Sequence, residues 1–341
     1  EIFKDPKLLT VLKNTMVFLV FSGIIGQQCL GFLLASLMRG KNRLVRKFVG
    51  FTVVAGWITP EVIAAFMFSS FFADAGTLNK IIGIFGASPV SWLFTFPMAC
   101  VVIANIWKGS AYSMMMFQAS LDNISDDIVE AARIDGAGGL QILLRITLPM
   151  IKSTMATTFV IVTLSTLGAF GLVFAMTGGG PAIMTTTLSI FMYQKAFIAY
   201  QIGYGMAIAL FILAIGILLS LVYIRLIRAN DGNEEGIIMK KKKKNLQKVI
   251  PYMVLLIIAG AFLLPLLWLV FAAFNPEASQ AFAVPKHMSV ENFRVILTDA
   301  KNQRGFLNSL FISVVQTGIV LVCSLLAAYP LSRYELKTGQ K

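Results

Sequence analysis

The chain alternates long apolar segments with short polar ones, at lengths that suit membrane-spanning helices. Seven apolar stretches are long enough to cross a hydrocarbon core, which takes about 20 residues as an α-helix. They lie at residues 15–38, 49–72, 94–120, 153–176, 203–226, 249–274 and 307–332. The pattern predicts an all-α integral membrane protein, a polytopic helical bundle of about seven transmembrane helices.

Composition and charge support this prediction, and they argue against a soluble globular protein and against a nucleic-acid-binding protein. With 57% apolar and 13% charged residues among 341, and a mean hydropathy of +0.79, the chain lies outside the soluble globular range. The net charge of +13 is unevenly spread, because 19 of the 29 basic residues fall in alternate loops, at 39–48, 120–152, 225–248 and 333–341. Short loops rich in Lys and Arg stay cytoplasmic, which predicts residue 1 outside and residue 341 in the cytoplasm. We therefore expect the run Lys240–Lys244 to contact anionic membrane lipid and not nucleic acid.

Candidate chemistry is sparse. Cys29, Cys100 and Cys323 all fall within apolar stretches, and His287 is the single histidine, so neither a metal site nor redox chemistry is expected. The glycine-rich stretches DGAGG and TGGGP lack the strand and the lysine of a phosphate-binding loop. Without a nucleophile–base pair as well, the sequence predicts a protein that is not an enzyme and holds no cofactor of its own.

The most informative segment is EAARIDGAGGLQILLRITLP, between two apolar stretches. Ser125 is suited to cap a helix that begins at Asp126, and the acidic first turn suits the helix dipole. Three glycines, at 136, 138 and 139, are expected to end this helix. A second short helix is predicted from Leu140, with a break near Pro149 before the next span.

The segment also resembles a known family. Its spacing, Glu-Ala-Ala, three residues, Gly, nine residues and Ile-x-Leu-Pro, is similar to the cytoplasmic coupling loop, or EAA motif, of permeases in binding-protein-dependent ABC importers of the maltose and multiple-sugar type. This resemblance implies a type I importer (MetI-like) core in the bacterial inner membrane. It also implies three partners: an ATPase dimer that binds and hydrolyses ATP, a second permease and an extracytoplasmic sugar-binding protein. The residues implied in ATPase coupling are Glu130, Ala131, Ala132, Asp135, Gly136, Ile146, Leu148 and Pro149.

Two ionisable residues, Glu61 and Lys108, fall within predicted spans, where a charge is costly. They are expected either to pair with each other or with the backbone, or to serve transport. The sugar-permease resemblance implies that the stretch NIWKGSAY and the following span line a sugar cavity, through Asn105, Lys108, Gly109, Tyr112, Thr166 and Phe170. An amide, an aromatic ring, a hydroxyl and one cation suit a neutral polyol, whereas an acidic sugar would use Lys108 more directly. A secondary transporter or channel that uses Glu61 and Lys108 remains the alternative.

The sequence further predicts two permease units joined end to end. Residues 1–232 resemble a first unit that lacks its first helix, residues 233–248 form a polar and basic junction, and residues 239–341 resemble the first two helices of a partner permease. Met239, followed by five lysines, resembles a start of translation. We expect the helices of 239–341 to be loosely attached, because their usual neighbours would be missing.

Overall fold

The computed structural model describes residues 5–229, 249–275 and 287–333. Within these ranges all regular structure is helical, which confirms the predicted all-α class. The helices are α1 (Leu8–Phe18), α2 (Gln28–Met38), α3 (Arg43–Ile58), α4 (Glu61–Phe72), α5 (Thr77–Ile84), α6 (Trp92–Thr95), α7 (Pro97–Asp122), α8 (Asp126–Ile134), α9 (Gly139–Ile142), α10 (Leu148–Met150), α11 (Lys152–Leu167), α12 (Gly171–Thr177), α13 (Leu188–Tyr193), α14 (Ile202–Ala229), α15 (Val249–Ala273), α16 (Glu291–Thr298) and α17 (Ala300–Arg333). The π-helical segments Leu19–Gln27, Leu143–Thr147 and Gln194–Ile198 join neighbouring helices.

Most of the predicted spans are present, but two of them are broken. In the described ranges, five helices are long and apolar enough to cross a membrane, and a bent pair gives up to six. The helix α7, with 26 residues, is about 39 Å long. The predicted span at 49–72 is divided into α3 and α4 at Pro60, and the span at 153–176 is divided into α11 and α12 after Leu167. Proline lacks the N–H that a helix needs, which explains the first break.

The first span is continuous over Leu8–Met38 but changes its winding in the middle. The π-helical segment Leu19–Gln27, which we call the π segment, lies between α1 and α2. Such segments are rare and occur often at functional sites, because the extra residue in a turn redirects side chains. Here the segment turns the polar residues Ser22 and Gln27 into the protein interior, where both are buried.

The core of the bundle surrounds α7. Its buried residues Cys100, Val101, Ala104 and Trp107 pack with side chains from α2, α3, α4, α12 and α15 in one apolar cluster. A close helix approach occurs between α2 and α7, where a β-carbon on Gly31 would lie 2.5 Å from the Ser113 β-carbon. The small residues thus allow the two backbones to pack closely.

A polar cluster lies at the start of the first span. The carboxylate of Asp5 accepts hydrogen bonds from Lys195 Nζ at 2.9 Å and from the Tyr204 hydroxyl at 3.1 Å. The hydrogen bond from Lys195 is the main cause that holds the pKa of Asp5 below its ordinary value. The cluster joins the segment before α1 to α14 and to the π-helical segment Gln194–Ile198.

The chain divides into two compact units, of which the first includes residues Glu1–Leu269. The part of α15 in this unit packs against the apolar core, since Leu255, Ala259 and Phe262 are buried. Phe262 stacks on Trp107 with ring centroids 5.8 Å apart, and its carbonyl accepts the Trp107 indole N–H. Phe262 and Trp107 thus join this helix to α7, and the loose attachment expected for the helices of 239–341 stays a prediction.

The second unit contains α16 and α17. Within it, the rings of Phe274 and Phe293 lie 5.1 Å apart, and the side chains of α17 are exposed from Ala300 to Leu326. The predicted junction at 233–248 lies outside the described residues, as does the run Lys240–Lys244. The division into two permease units therefore stays a prediction.

Candidate functional site

The coupling-loop segment folds as a capped helix followed by a tight turn. The Asp127 backbone N–H donates to Ser125 Oγ at 3.3 Å, and α8 then runs from Asp126 to Ile134. Gly136 has a φ of +86°, a left-handed conformation that stops the helix and that favours glycine. Of the three glycines expected to end α8, only this one does so, because Gly138 precedes α9 and Gly139 begins it.

The motif residues divide between an outer and an inner face of this loop. Glu130 and Ala131 are exposed, as is the apolar side chain of Ile134. Gly136 is buried, and the remaining motif residues, Ala132, Asp135, Ile146, Leu148 and Pro149, are half-buried. Val129 anchors the inner face in a second apolar cluster with Leu121, Ile142 and Ile151. An exposed face that carries both a carboxylate and apolar groups is a surface suited to a protein partner.

Polar contacts join the start of α8 to the first two spans. Arg39, directly after α2, donates from Nη2 to the Ile124 carbonyl at 3.0 Å, and the same nitrogen lies 3.6 Å from Asp126 Oδ1. Arg46 of α3 forms an ion pair with Asp122 at the end of α7. These residues line a polar cleft of about 1190 Å³ beneath the loop. Arg39 thus contacts the start of α8 and the residue before its cap, whereas Arg46 joins α3 to the end of α7.

A second candidate region lies in the middle of the bundle, at the break between α3 and α4. The break leaves the carbonyls at the end of α3 without helical partners. Lys108 Nζ, from the middle of α7, donates to the carbonyls of Thr59 at 3.0 Å and Trp57 at 3.3 Å. The structure thus contains the expected pairing of Lys108 with backbone groups.

The break between α11 and α12 lies beside the break between α3 and α4. Glu61, the first residue of α4, is exposed, and its carboxylate occupies the position that a β-carbon on Gly171 would need. Beside Gly171, the ring of Phe170 stacks on Phe174 and contacts Tyr193, each with centroids 4.9 Å apart. The predicted residue Tyr112 is close to Trp57, with ring centroids 6.4 Å apart.

The other predicted cavity residues gather around the π segment. Asn105 is 8% exposed, donates from its side-chain amide to Ser22 Oγ at 2.8 Å, and accepts the Gln27 amide at its backbone carbonyl at 3.1 Å. Gly109 leaves the space that the Gln27 amide fills. Thr166 is also buried, and its hydroxyl would lie 2.8 Å from a β-carbon on Gly23.

The six predicted residues thus form two groups in this structure. Asn105, Gly109 and Thr166 pack against the π segment, whereas Lys108, Tyr112 and Phe170 surround the two helix breaks. Sequence reasoning missed Ser22, Gln27 and Arg39. Two adjacent glutamines within an apolar span, Gln27 and Gln28, were a signal for the first group, because polar side chains in a span need partners.

A bundle of apolar helices with broken spans and a structured polar loop defines the class of the protein as a multi-pass membrane permease. Residues 28–231 match the family described as the binding-protein-dependent transport system inner membrane component, and the chain belongs to this family.

Relatives and solved structures agree with this membership. The chain is 33% identical over 179 residues to the sulfoquinovosyl glycerol transport system permease of Agrobacterium fabrum, covering 51% of this chain and 58% of that protein. It is 32% identical to a probable ABC transporter permease of Bacillus subtilis, over 69% of this chain and 82% of the relative. It is 34% identical to the trehalose/maltose transport system permease of Thermococcus litoralis, over 58% of this chain and 66% of that protein. A bacterial alginate ABC transporter, solved with an alginate-bound periplasmic protein, has the same fold with a TM-score of 0.61 at 22% identity, over 69% of this chain and 83% of that chain.

Proposed function

We propose that this chain is the permease subunit of an ATP-driven ABC importer that carries a sugar or oligosaccharide across the cytoplasmic membrane. The names of the relatives support a sugar, since they include permeases for sulfoquinovosyl glycerol, trehalose/maltose and xylose/arabinose. The observation that carries the proposal is the coupling loop. It presents Glu130 and Ala131 on an open face while its inner face is anchored to three spans.

The proposed coupling is mechanical. The exposed face of α8 docks in a cleft of an ATPase subunit, where Glu130 meets basic or backbone groups of that subunit. Closure of the ATPase dimer on ATP then displaces α8 as a rigid body. Arg39 and the apolar contacts of Val129 pass this displacement to α2 and α7, and the sites for the sugar open to alternate sides.

The proposed sugar contacts are the residues around the two breaks and the π segment: Asn105, Lys108, Gly109, Tyr112, Thr166 and Phe170. The aromatic rings offer faces for the C–H groups of a sugar ring, while the polar groups offer hydrogen bonds to hydroxyls. Asn105 and Thr166 are buried in this conformation, so their role requires that α7 and the π segment separate during the transport cycle.

The remaining parts of the proposal concern partners and orientation. The importer would contain an ATPase dimer, a second permease and an extracytoplasmic sugar-binding protein, with ATP bound by the ATPase and no cofactor or catalytic residue in this chain. The loops at 39–48 and 120–152 would face the cytoplasm, and residues 177–200 and His287 the outside. The basic distribution supports this orientation.

Reconstitution tests the proposal. The chain is assembled with its partner subunits in liposomes, and ATP-dependent uptake of labelled sugars is compared between the wild type and two variants, Glu130→Lys and Gly136→Val. Both variants are expected to insert normally and to lose most ATP-driven uptake, because one reverses the charge at the ATPase surface and the other strains a left-handed backbone position. Glu291→Lys, an exposed glutamate of the second unit, serves as the control.

Undiminished uptake by both coupling-loop variants would refute the coupling role. Uptake that follows an ion gradient and ignores ATP would support a secondary transporter in place of an importer. Family membership gives this alternative no support.

A further inference from the structure

Two charged side chains lie where two broken helices meet. Lys108 is in the middle of α7, and Glu61 directly follows the break at Pro60. The second break, after Leu167, is adjacent, because the Glu61 carboxylate fills the space beside Gly171. Ends of discontinuous helices near the middle of a bilayer form substrate sites in transporters, since they offer backbone groups and charges that continuous helices do not.

The ammonium group of Lys108 already has polar partners beside the first break. An ammonium group has three N–H donors, and Lys108 directs two contacts to the carbonyls of Trp57 and Thr59. These carbonyls end α3 and carry the negative end of its helix dipole. Lys108 thus stabilises the broken end of α3.

The Glu61 carboxylate lies in the first turn of α4, where the helix dipole favours an anion, but among the residues that the structure describes it has no short polar contact of this kind. Glu61 is exposed, and within the described ranges its carboxylate has neither a hydrogen bond nor an ion pair. Lys108 is near enough to interact with it electrostatically but is directed at the α3 carbonyls. A carboxylate within a predicted span would be costly if it faced lipid, which favours a water-lined path on this side of α4.

We propose that Glu61 faces the translocation path and is a specificity-determining residue. It accepts hydrogen bonds from sugar hydroxyls, and its charge repels carboxylated or sulfonated sugars, so that the substrate is an uncharged carbohydrate, unlike the sulfonated glycoside for which one relative is named. The neighbouring rings of Phe170, Tyr112 and Trp57 suit the C–H faces of such a sugar. This inference rests on the importer function proposed above.

The first experiment measures the charge of the path without knowledge of the sugar. In the complete transporter, with Cys29, Cys100 and Cys323 replaced by alanine, Phe170→Cys introduces a single thiol beside Gly171. Its reaction rates with a trimethylammonium and with a sulfonate methanethiosulfonate reagent are compared. Glu61→Gln is expected to lower the ratio of the cationic to the anionic rate at least about fivefold, because a nearby carboxylate attracts one reagent and repels the other.

Asp74→Asn is the matched control, since Asp74 is an exposed carboxylate just beyond the other end of the 12-residue α4, about 18 Å along the helix. It should leave the rate ratio unchanged. An unchanged ratio in Glu61→Gln would overturn the proposal. So would a thiol in the Phe170→Cys variant that reacts with neither reagent, because the breaks would then not line an aqueous path.

The second experiment measures uptake of maltose, trehalose and glucuronate by the wild-type transporter in liposomes. ATP-driven uptake of neutral sugars with exclusion of glucuronate, by at least about tenfold in rate, is the expected result, because like charges disfavour binding. Comparable uptake of glucuronate would overturn the role of Glu61 and leave the importer function intact. If no sugar is taken up with ATP, the proposed function itself fails, whatever the thiol rates show.

Discussion

The contact between α2 and α7 allows a quantitative test of the packing. A β-carbon on Gly31 would lie 2.5 Å from the Ser113 β-carbon and 2.7 Å from the Met114 backbone nitrogen. Favourable contacts between carbon atoms need about 3.5–4.0 Å, so Gly31→Ala must push the two helices apart by about 1 Å. Overpacking of this kind costs about 1–3 kcal/mol.

A second glycine supplies the control for helix propensity. Gly50 also lies within a helix, α3, but a β-carbon there has no neighbouring atom within 4 Å. Both substitutions reduce the backbone freedom of the unfolded chain in the same way. The difference in unfolding free energy between Gly31→Ala and Gly50→Ala therefore isolates the clash, and we expect Gly31→Ala to be less stable by about 1–3 kcal/mol.

Equilibrium unfolding in mixed micelles of mild detergent and dodecyl sulfate, followed by tryptophan fluorescence, measures this difference. Ser113→Gly combined with Gly31→Ala should recover part of the loss, because one of the overlapping atoms is removed. Equal stabilities of the two alanine variants would refute the close approach of α2 and α7.

Three further predictions follow from polar contacts and orientation. Asp5→Asn should reduce the melting temperature at pH 7, because the lowered pKa of Asp5 stabilises the fold at pH values above the ordinary pKa of 3.8. This contribution is lost as the pH falls through the pKa of Asp5 in the folded protein. The variant and the wild type should therefore have the same melting temperature at acidic pH, where the Lys195 contact is lost. Arg39→Ala should lower the number of sugars carried per ATP hydrolysed at least about threefold, whereas Asp126→Asn should lower it less, because it leaves the hydrogen bond from Arg39 to the Ile124 carbonyl in place. Equal values for the wild type and both variants would contradict the coupling role of Arg39. In cells, a single cysteine at the exposed Tyr200 should react with an impermeant reagent from outside, while one at Asp126 should react only after permeabilisation, and the reverse result would overturn the orientation.

The coupling loop was largely predictable because its determinants are local. Ser125, the acidic first turn and Gly136 act within a few residues of themselves, through capping, the helix dipole and left-handed backbone. The spacing of the motif was sufficient to indicate the family, and the match over residues 28–231 confirmed it. The family resemblance did not indicate Arg39, since the role of this arginine depends on a contact with Ile124, 85 residues away.

The candidate substrate region was less predictable because its determinants are distant in the sequence. Nothing in the local pattern around Asn105 indicates that its amide bonds to Ser22, or that Gly109 leaves room for Gln27. The partner of Lys108 depends on a break in another helix, whose carbonyls become available only when α3 and α7 pack together.

Helix type and membrane class were determined by the sequence itself, because hydrophobic length and helix ends depend on consecutive residues. Only the tertiary structure decided which polar groups satisfy one another inside the bundle. In a membrane interior each such group must find a partner on whichever helix packs beside it. For that reason Lys108 became a cap for the end of α3.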